Sequence, residues 1–117
     1  MSNNKSHNSK DLQTIKEKIA ANFKHPPKID DLARAAGISK STLQHEFTLI
    51  FGKSIQDYQF ELRINAAKVL LEKPDYSVKY VAVVVGYKNP GNFSRGFKKL
   101  TGMTPLQYRN DFQLRFA

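Results

Sequence analysis

The sequence predicts an all-α chain of seven helices, built as two similar halves joined by one long helix. Three observations predict it. Apolar residues recur at helical spacing along almost the whole chain. Prolines, glycines and capping residues punctuate that spacing where helices should start and stop. The pattern of residues 29–58 also returns at residues 78–108.

Residues 1–8 are polar and are expected to form a disordered tail. Ser9 is read as the N-cap of a first helix running to about Lys24, with an inward stripe of Leu12, Ile15, Ile19 and Phe23. His25-Pro26-Pro27 stops it, because proline lacks an amide donor and restrains the residue before it. Ile29, Leu32, Ala33 and Ala36 mark a second helix. Asp30 and Asp31 sit in its first turn, where the helix dipole favours them, and Gly37 closes it. Ser39 caps a third helix with Leu43, Phe47 and Ile50 or Phe51 inside, ended by Gly52. Ser54 opens a long helix to about Glu72 through Ile55, Tyr58, Leu62, Ala66 or Ala67, Val69 and Leu70. Asp57 stands there in place of the usual capping-box glutamate, and Lys73-Pro74-Asp75 ends the helix.

The next stretch, "VAVVVGYKNPG" (Val81–Gly91), taken alone looks like half a β-hairpin, since four valines favour a strand and the residues after them favour a turn. The repeat overrides that reading. Ile29, Leu32, Ala33, Ala36 and Gly37 return 49 residues later as Val78, Val81, Ala82, Val85 and Gly86. Leu43, Phe47, Gly52, Ser54 and Tyr58 return 50 residues later as Phe93, Phe97, Gly102, Thr104 and Tyr108. Ten matched positions with a single inserted residue make the valines a helical stripe capped by Ser77. Each valine forfeits several tenths of a kcal/mol of helix propensity, against roughly 1.5–3 kcal/mol gained for each one buried. Asn89-Pro90 then starts a helix to about Leu100, and Thr104-Pro105 a last one to about Phe116. Each half is helix, short glycine turn, helix, which is the helix-turn-helix pattern.

At 117 residues the chain is one domain or two very small ones sharing a linker, with 8 Phe and 5 Tyr to fill modest cores. No apolar run nears the ~20 residues that span a bilayer, and the first ten residues carry no apolar core of a secretory signal. Zero cysteines exclude disulfides, thiolate metal sites and thiol nucleophiles. Nineteen Lys and Arg against ten Asp and Glu give a net charge of +9, suited to a phosphate polyanion. The excess is uneven: Lys88, Arg95, Lys98, Lys99 and Arg109 occur with no acid between the first and the last.

The runs "LARAAGISKSTLQHEF…G", "YQFELRINAAKVLL" and "SVKYVAVVVGYKNPGNFSRGFKKLTGMTPLQYR" resemble the DNA-binding domain of the AraC/XylS family of bacterial transcription regulators. The third run carries the family's second-motif signature: a glycine–aromatic pair, then Phe-Ser-Arg, Phe-Lys-Lys, Gly, Thr-Pro and Tyr-Arg. The resemblance covers about residues 9–110. It implies two three-helix subdomains, 9–52 and 74–117, joined by a linker helix at 53–73, and an activator or repressor that binds double-stranded DNA. Four positions depart from the family pattern. Gln59 stands where leucine is common, Lys28 where a small capping residue is common, and Pro90-Gly91 where longer side chains often reach DNA.

In this class the second helix of each motif lies in the major groove with its first residues at base edges. With Leu43 and Phe47 inward, Ser41, Thr42, Gln44, His45 and Thr48 face out. Gln44 suits adenine and His45 can donate to guanine; by resemblance Ser41, Gln44 and His45 match base-reading positions. With Phe93 and Phe97 inward, Gly91, Ser94 and Arg95 are expected at bases, Arg95 as a bidentate donor to guanine. Ser39, Lys40, Thr42, Thr48, Lys88, Asn89, Asn92 and Lys98 are expected on the DNA backbone, helped by helix-start amides. Arg63 and Arg109 are expected to bond internally rather than to read DNA. The linker, about 28 Å long at 1.5 Å per residue, is comparable with the ~34 Å between major-groove faces on one side of a duplex.

Two other classes compete. An enzyme would need a site, yet His7, His25 and His45 are scattered and no HExxH, P-loop or GxSxG motif occurs, so no catalysis, cofactor or metal is expected. A helical protein-interaction module without specific DNA binding explains the amphipathic helices but neither the basic bias nor the tandem glycine turns. Val83 and Val84, beside Tyr80, are expected on the outer side of their helix as a docking patch for RNA polymerase or a regulatory domain. The chain is expected in the cytoplasm, on the nucleoid. It is read either as a small complete regulator or as the C-terminal piece of one with an N-terminal effector or dimerisation domain, the second being the commoner arrangement in the family.

Overall fold

Seven α-helices and no strands occupy residues 9–116, the part of the chain that the computed structural model describes; the expected tail at 1–8 lies outside it. The helices are α1 (Ser9–Ala21), α2 (Ile29–Ala36), α3 (Lys40–Phe51), α4 (Ile55–Leu71), α5 (Val78–Val84), α6 (Pro90–Thr101) and α7 (Pro105–Phe116). They form two units, one ending at Phe60 and the other beginning at Glu61, so that the division of the chain falls within α4.

In the first unit, Leu12, Ile15 and Ile19 of α1, Leu32 and Ala33 of α2, Leu43 and Phe47 of α3 and Ile55 at the start of α4 are buried. α1 stops at Ala21, short of the expected Lys24. The Asn22 side chain donates to the Lys18 carbonyl at 3.1 Å and its amide to Ile19 at 3.2 Å, so the last turn tightens before the prolines are reached. Phe51, not Ile50, continues the inner face of α3: its ring lies 4.6 Å from that of Phe47, while Ile50 is exposed. The Lys16 ammonium covers the rings of Phe51 and Tyr58 at 4.4 and 5.2 Å, a cation–π contact that lets a long basic side chain shield aromatic surface. Lys28, at the N-cap of α2, makes no side-chain capping bond.

The second unit buries Val81, Ala82 and Val85, Phe93 and Phe97 of α6, and Pro105 of α7. The valine stretch is therefore a helix. Val85 is its C-cap, and Gly86 takes the positive φ of 104° that turns the chain. Val83 is exposed as expected, but Val84 is half-buried. The remaining core comes from α4, and here the expected stripe is corrected. Val69 is 58% exposed, whereas Ile64 and Leu71, absent from that stripe, are fully buried with Ala67. Ile64, Ala67 and Leu71 repeat the spacing of Leu12, Ile15 and Ile19, each 52 residues on. The second half of α4 thus supplies to its unit what α1 supplies to the first.

The end of α4 is closed by side chains of α7, since helix-end carbonyls have no partner within the helix. The Arg109 guanidinium donates to the carbonyls of Leu71 at 2.9 Å, Lys73 at 3.1 Å and Tyr76. Gln113 donates to the Glu72 carbonyl at 3.0 Å, and the Tyr108 hydroxyl to the Glu72 carboxylate at 3.0 Å. Arg63 lies over the Tyr87 ring at 5.5 Å. Arg109 therefore makes the internal bonds to carbonyls expected of it, and Arg63 an internal contact with an aromatic ring.

Two outcomes follow from this packing. Ile64→Ala should cost the second unit about 2–5 kcal/mol, and Val69→Ala less than about 0.5 kcal/mol, read from urea midpoints. Burial first, then the hydrogen bond and charge of Glu72, hold the Tyr108 hydroxyl above its ordinary value of 10.0. The folded chain then keeps a proton that the unfolded chain releases. This contribution is complete below pH 10 and is lost as pH rises through the folded value. Tyr108→Phe should flatten the fall of melting temperature above pH 10 while leaving its pH dependence near neutrality unchanged.

Candidate nucleic-acid interface

Each unit sets one helix by the same means. In the first, Gly37 at φ 73° donates its amide to Arg34, and Ile38 donates to Ala33, both at 3.1 Å. No atom stands within 4 Å of where a Cβ at Gly37 would lie, so the left-handed backbone alone requires glycine there. Ser39 then caps α3, accepting from the Thr42 amide at 3.1 Å and donating to the Thr42 hydroxyl at 2.8 Å. In the second unit Gly86 donates to Val83 at 3.0 Å and Tyr87 to Ala82 at 2.9 Å. The Asn89 carboxamide caps α6, accepting from the amides of Gly91 at 2.7 Å and Asn92 at 3.1 Å, with Pro90 at the first helical position.

Two buried side chains fix the rotation of each helix. Leu43 and Phe47 hold α3, and Phe93 and Phe97 hold α6. Phe93 lies 5.4 Å from the Tyr87 ring, and Phe97 meets Tyr108 edge-on at 5.6 Å. The exposure classes of residues 41–50 and 91–100 agree at every position except one, where Thr42 is half-buried and Asn92 exposed. The sequence repeat is thus a repeat of outward faces.

On α3, Ser41 and His45 are exposed and Gln44 half-buried, and the three side chains make no hydrogen bond or ion pair among the described residues. Thr48 is exposed, its hydroxyl donating to the Gln44 carbonyl at 3.0 Å. Lys40 pairs with Asp30 at 3.7 Å, an exposed contact of little strength that a phosphate can replace. On α6 and just before it, Lys88, Ser94 and Lys98 have no side-chain partner among the described residues. Asn89, Gly91, Asn92 and Arg95 are brought together: Asn89 holds the two amides, and the Arg95 guanidinium donates to the Asn92 carboxamide oxygen. α6 carries Arg95, Lys98 and Lys99 and no acid, whereas α3 has Lys40 against Glu46. The Asn92–Arg95 bond escaped the sequence reading, although their i, i+3 spacing on a helix allowed it.

Two helix–glycine–helix units, each turning a polar or cationic helix face outward from a buried aromatic anchor, define a tandem helix-turn-helix protein. A helix-turn-helix domain family matches residues 32–111, and the chain belongs to this AraC-type family of transcriptional regulators. It is 39% identical over 95 residues to an HTH-type transcriptional regulator in the cgkA 5′ region of Pseudoalteromonas carrageenovora, covering 80% of this chain and 55% of that one. It is 31% identical over 99 residues to the HTH-type regulator YkgA of Escherichia coli, covering 85% of this chain and 41% of the relative. The chain therefore spans about half the length of these relatives. Its fold is similar to that of the DNA-binding domain of the global transcriptional factor AdpA in complex with a target DNA, with a TM-score of 0.82, 26% identity and coverage of 92% and 97%. It is also similar to the C-terminal domain of AraT, a response regulator from Geobacillus stearothermophilus, at TM-score 0.79, 25% identity and coverage of 88% and 86%.

Because two amides depend on one side chain, Asn89→Ala should destabilise the second unit by about 1 kcal/mol, and Asn89→Asp much less. Thermal unfolding followed by circular dichroism measures the difference.

Proposed function

We propose that this chain is the DNA-reading part of a transcription regulator and binds double-stranded DNA sequence-specifically, with α3 and α6 each entering a major-groove segment. One observation carries the reading: both helices keep a polar or basic outer face on which Ser41, Gln44, His45, Ser94 and Lys98 have no side-chain partner among the described residues, while their inner faces are locked. A helix so held can spend its free donors and acceptors on base edges without losing internal bonds.

In this reading residues 9–52 and 74–117 carry the readers and 53–73 connects them. Ser41, Gln44 and His45 read bases from α3, and Ser94 and Arg95 from α6. Ser39, Lys40, Thr42, Thr48, Lys88, Asn89 and Lys98 hold the backbone, which positions the protein without specifying sequence. Gly91, which has no side chain, and Asn92, which bonds Arg95, stand apart. The protein has no catalytic task and works in the cytoplasm on the nucleoid. Exposed Val83 and Tyr80, the latter stacked on Tyr76 at 5.1 Å, form the surface we assign to RNA polymerase. An effector or dimerisation domain is assigned to the part of the relatives that this chain does not span.

Selection of bound duplexes from a random pool, followed by affinities at several salt concentrations, tests the reading. A defined motif should emerge, and affinity should fall steeply with salt. Gln44→Ala and Arg95→Ala should each cost about 1–3 kcal/mol and relax one base position; Lys98→Ala should weaken all duplexes alike and lower the salt slope by about 1. Absence of duplex binding even at low salt favours a protein-interaction module instead.

A further inference from the structure

Gly91 is not explained by its backbone. The glycines with positive φ are 37, 52, 86 and 102, and Gly91 is not among them. What sets it apart is space: a Cβ there would lie 3.0 Å from the Asn89 carboxamide oxygen and 3.5 Å from Arg95 Nη1. Helical side chains lean toward the N-terminus, so Arg95 lies back over residues 91 and 92, four and three positions earlier. Its Nη2 donates to the Asn92 carboxamide oxygen, and the Asn92 amide is itself held by Asn89. The matching positions in the first unit are Ser41, Thr42 and His45, with a side chain at the glycine position and no such bond among the described residues.

We propose that Arg95, held by Asn92, is the specificity-determining group at the tip of α6, and that Asn92 acts through it rather than by touching DNA. Asn92 is a positioning residue, while the tight neighbour of Gly91 is the capping oxygen of Asn89, 3.0 Å from where a Cβ would lie. Guanidinium has five donors, so one spent on Asn92 leaves enough for the O6/N7 edge of a guanine. Holding a long side chain in place before binding removes part of the ordering cost on binding. In this way a helix tip with proline and glycine at its first two positions still presents a base reader. The inference rests on α6 being a DNA-reading helix.

The test uses the full chain and its selected duplex, with each base pair replaced in turn. Arg95→Ala identifies the base pair whose discrimination, about 5- to 150-fold for a bidentate contact, collapses. At that pair Asn92→Ala should lose roughly 3- to 10-fold of the discrimination, with discrimination elsewhere intact. Asn92→Asp, which keeps an acceptor for Arg95, should retain it while weakening all duplexes through its added charge. In the free protein, the Arg95 side-chain NMR signals should shift in Asn92→Ala and not in Lys98→Ala, a readout independent of DNA. An even loss on all duplexes in Asn92→Ala, or unmoved Arg95 signals, overturns the positioning role. If Arg95→Ala leaves every base preference unchanged, it is the base-reading role of Arg95 that falls.

Discussion

Everything outward on this chain depends on what is locked inward. Phe47 and Phe97, with Leu43 and Phe93 one turn earlier, are completely buried and fix the rotation of α3 and α6. Large side chains in close-packed surroundings allow little rotation about the helix axis. Once the rotation is set, the direction of every other side chain on the helix follows from 3.6 residues per turn. The rotation of both helices is thus set by hydrocarbon packing rather than by polar bonds.

The polar bonds have a different task, which is to finish helix ends. Ser39, Ser54, Ser77 and Asn89 accept backbone amides at helix starts. Thr104 and Gln107 exchange two bonds as a complete capping box, whereas among the described residues Ser54 and Asp57 share one, from the Asp57 amide to the Ser54 hydroxyl. An aspartate side chain is one methylene shorter than the glutamate of a full box. At the other end of α4, Arg109 serves carbonyls of three different residues. A positive charge is favoured at a helix C-terminus, so the more basic half of the chain spends Arg109 there, as it spends Arg63 on the Tyr87 ring.

The sequence made most of this legible, and what it hid has physical causes. Helix number, caps and glycine turns were readable because each has a local chemical signature. The valine helix was readable only through its repeat, since propensity at Val81–Val85 favours a strand and burial overrides it. The inner face of α4 was misjudged at Val69 and missed at Ile64 and Leu71 because the buried side of that helix changes along its length. A single stripe drawn from Ile55 cannot follow a change of partner. Of the candidate interface, the outward positions were readable from the buried ones. The bond between Asn92 and Arg95 was not, because pattern gives the face of a side chain but not its reach.

The matching of Ile64, Ala67 and Leu71 with Leu12, Ile15 and Ile19 also changes what the smallest separable part of this protein is. The duplicated piece is a set of three helices: α1 with α2 and α3, and the latter half of α4 with α5 and α6. A chain begun at residue 74, at the apparent edge of the second motif, would expose the apolar faces of Val81, Ala82 and Val85 with one wall of their core missing. A chain begun near residue 61 keeps that wall. The helix that looks like a connector is, over its second half, an interior part of what it connects.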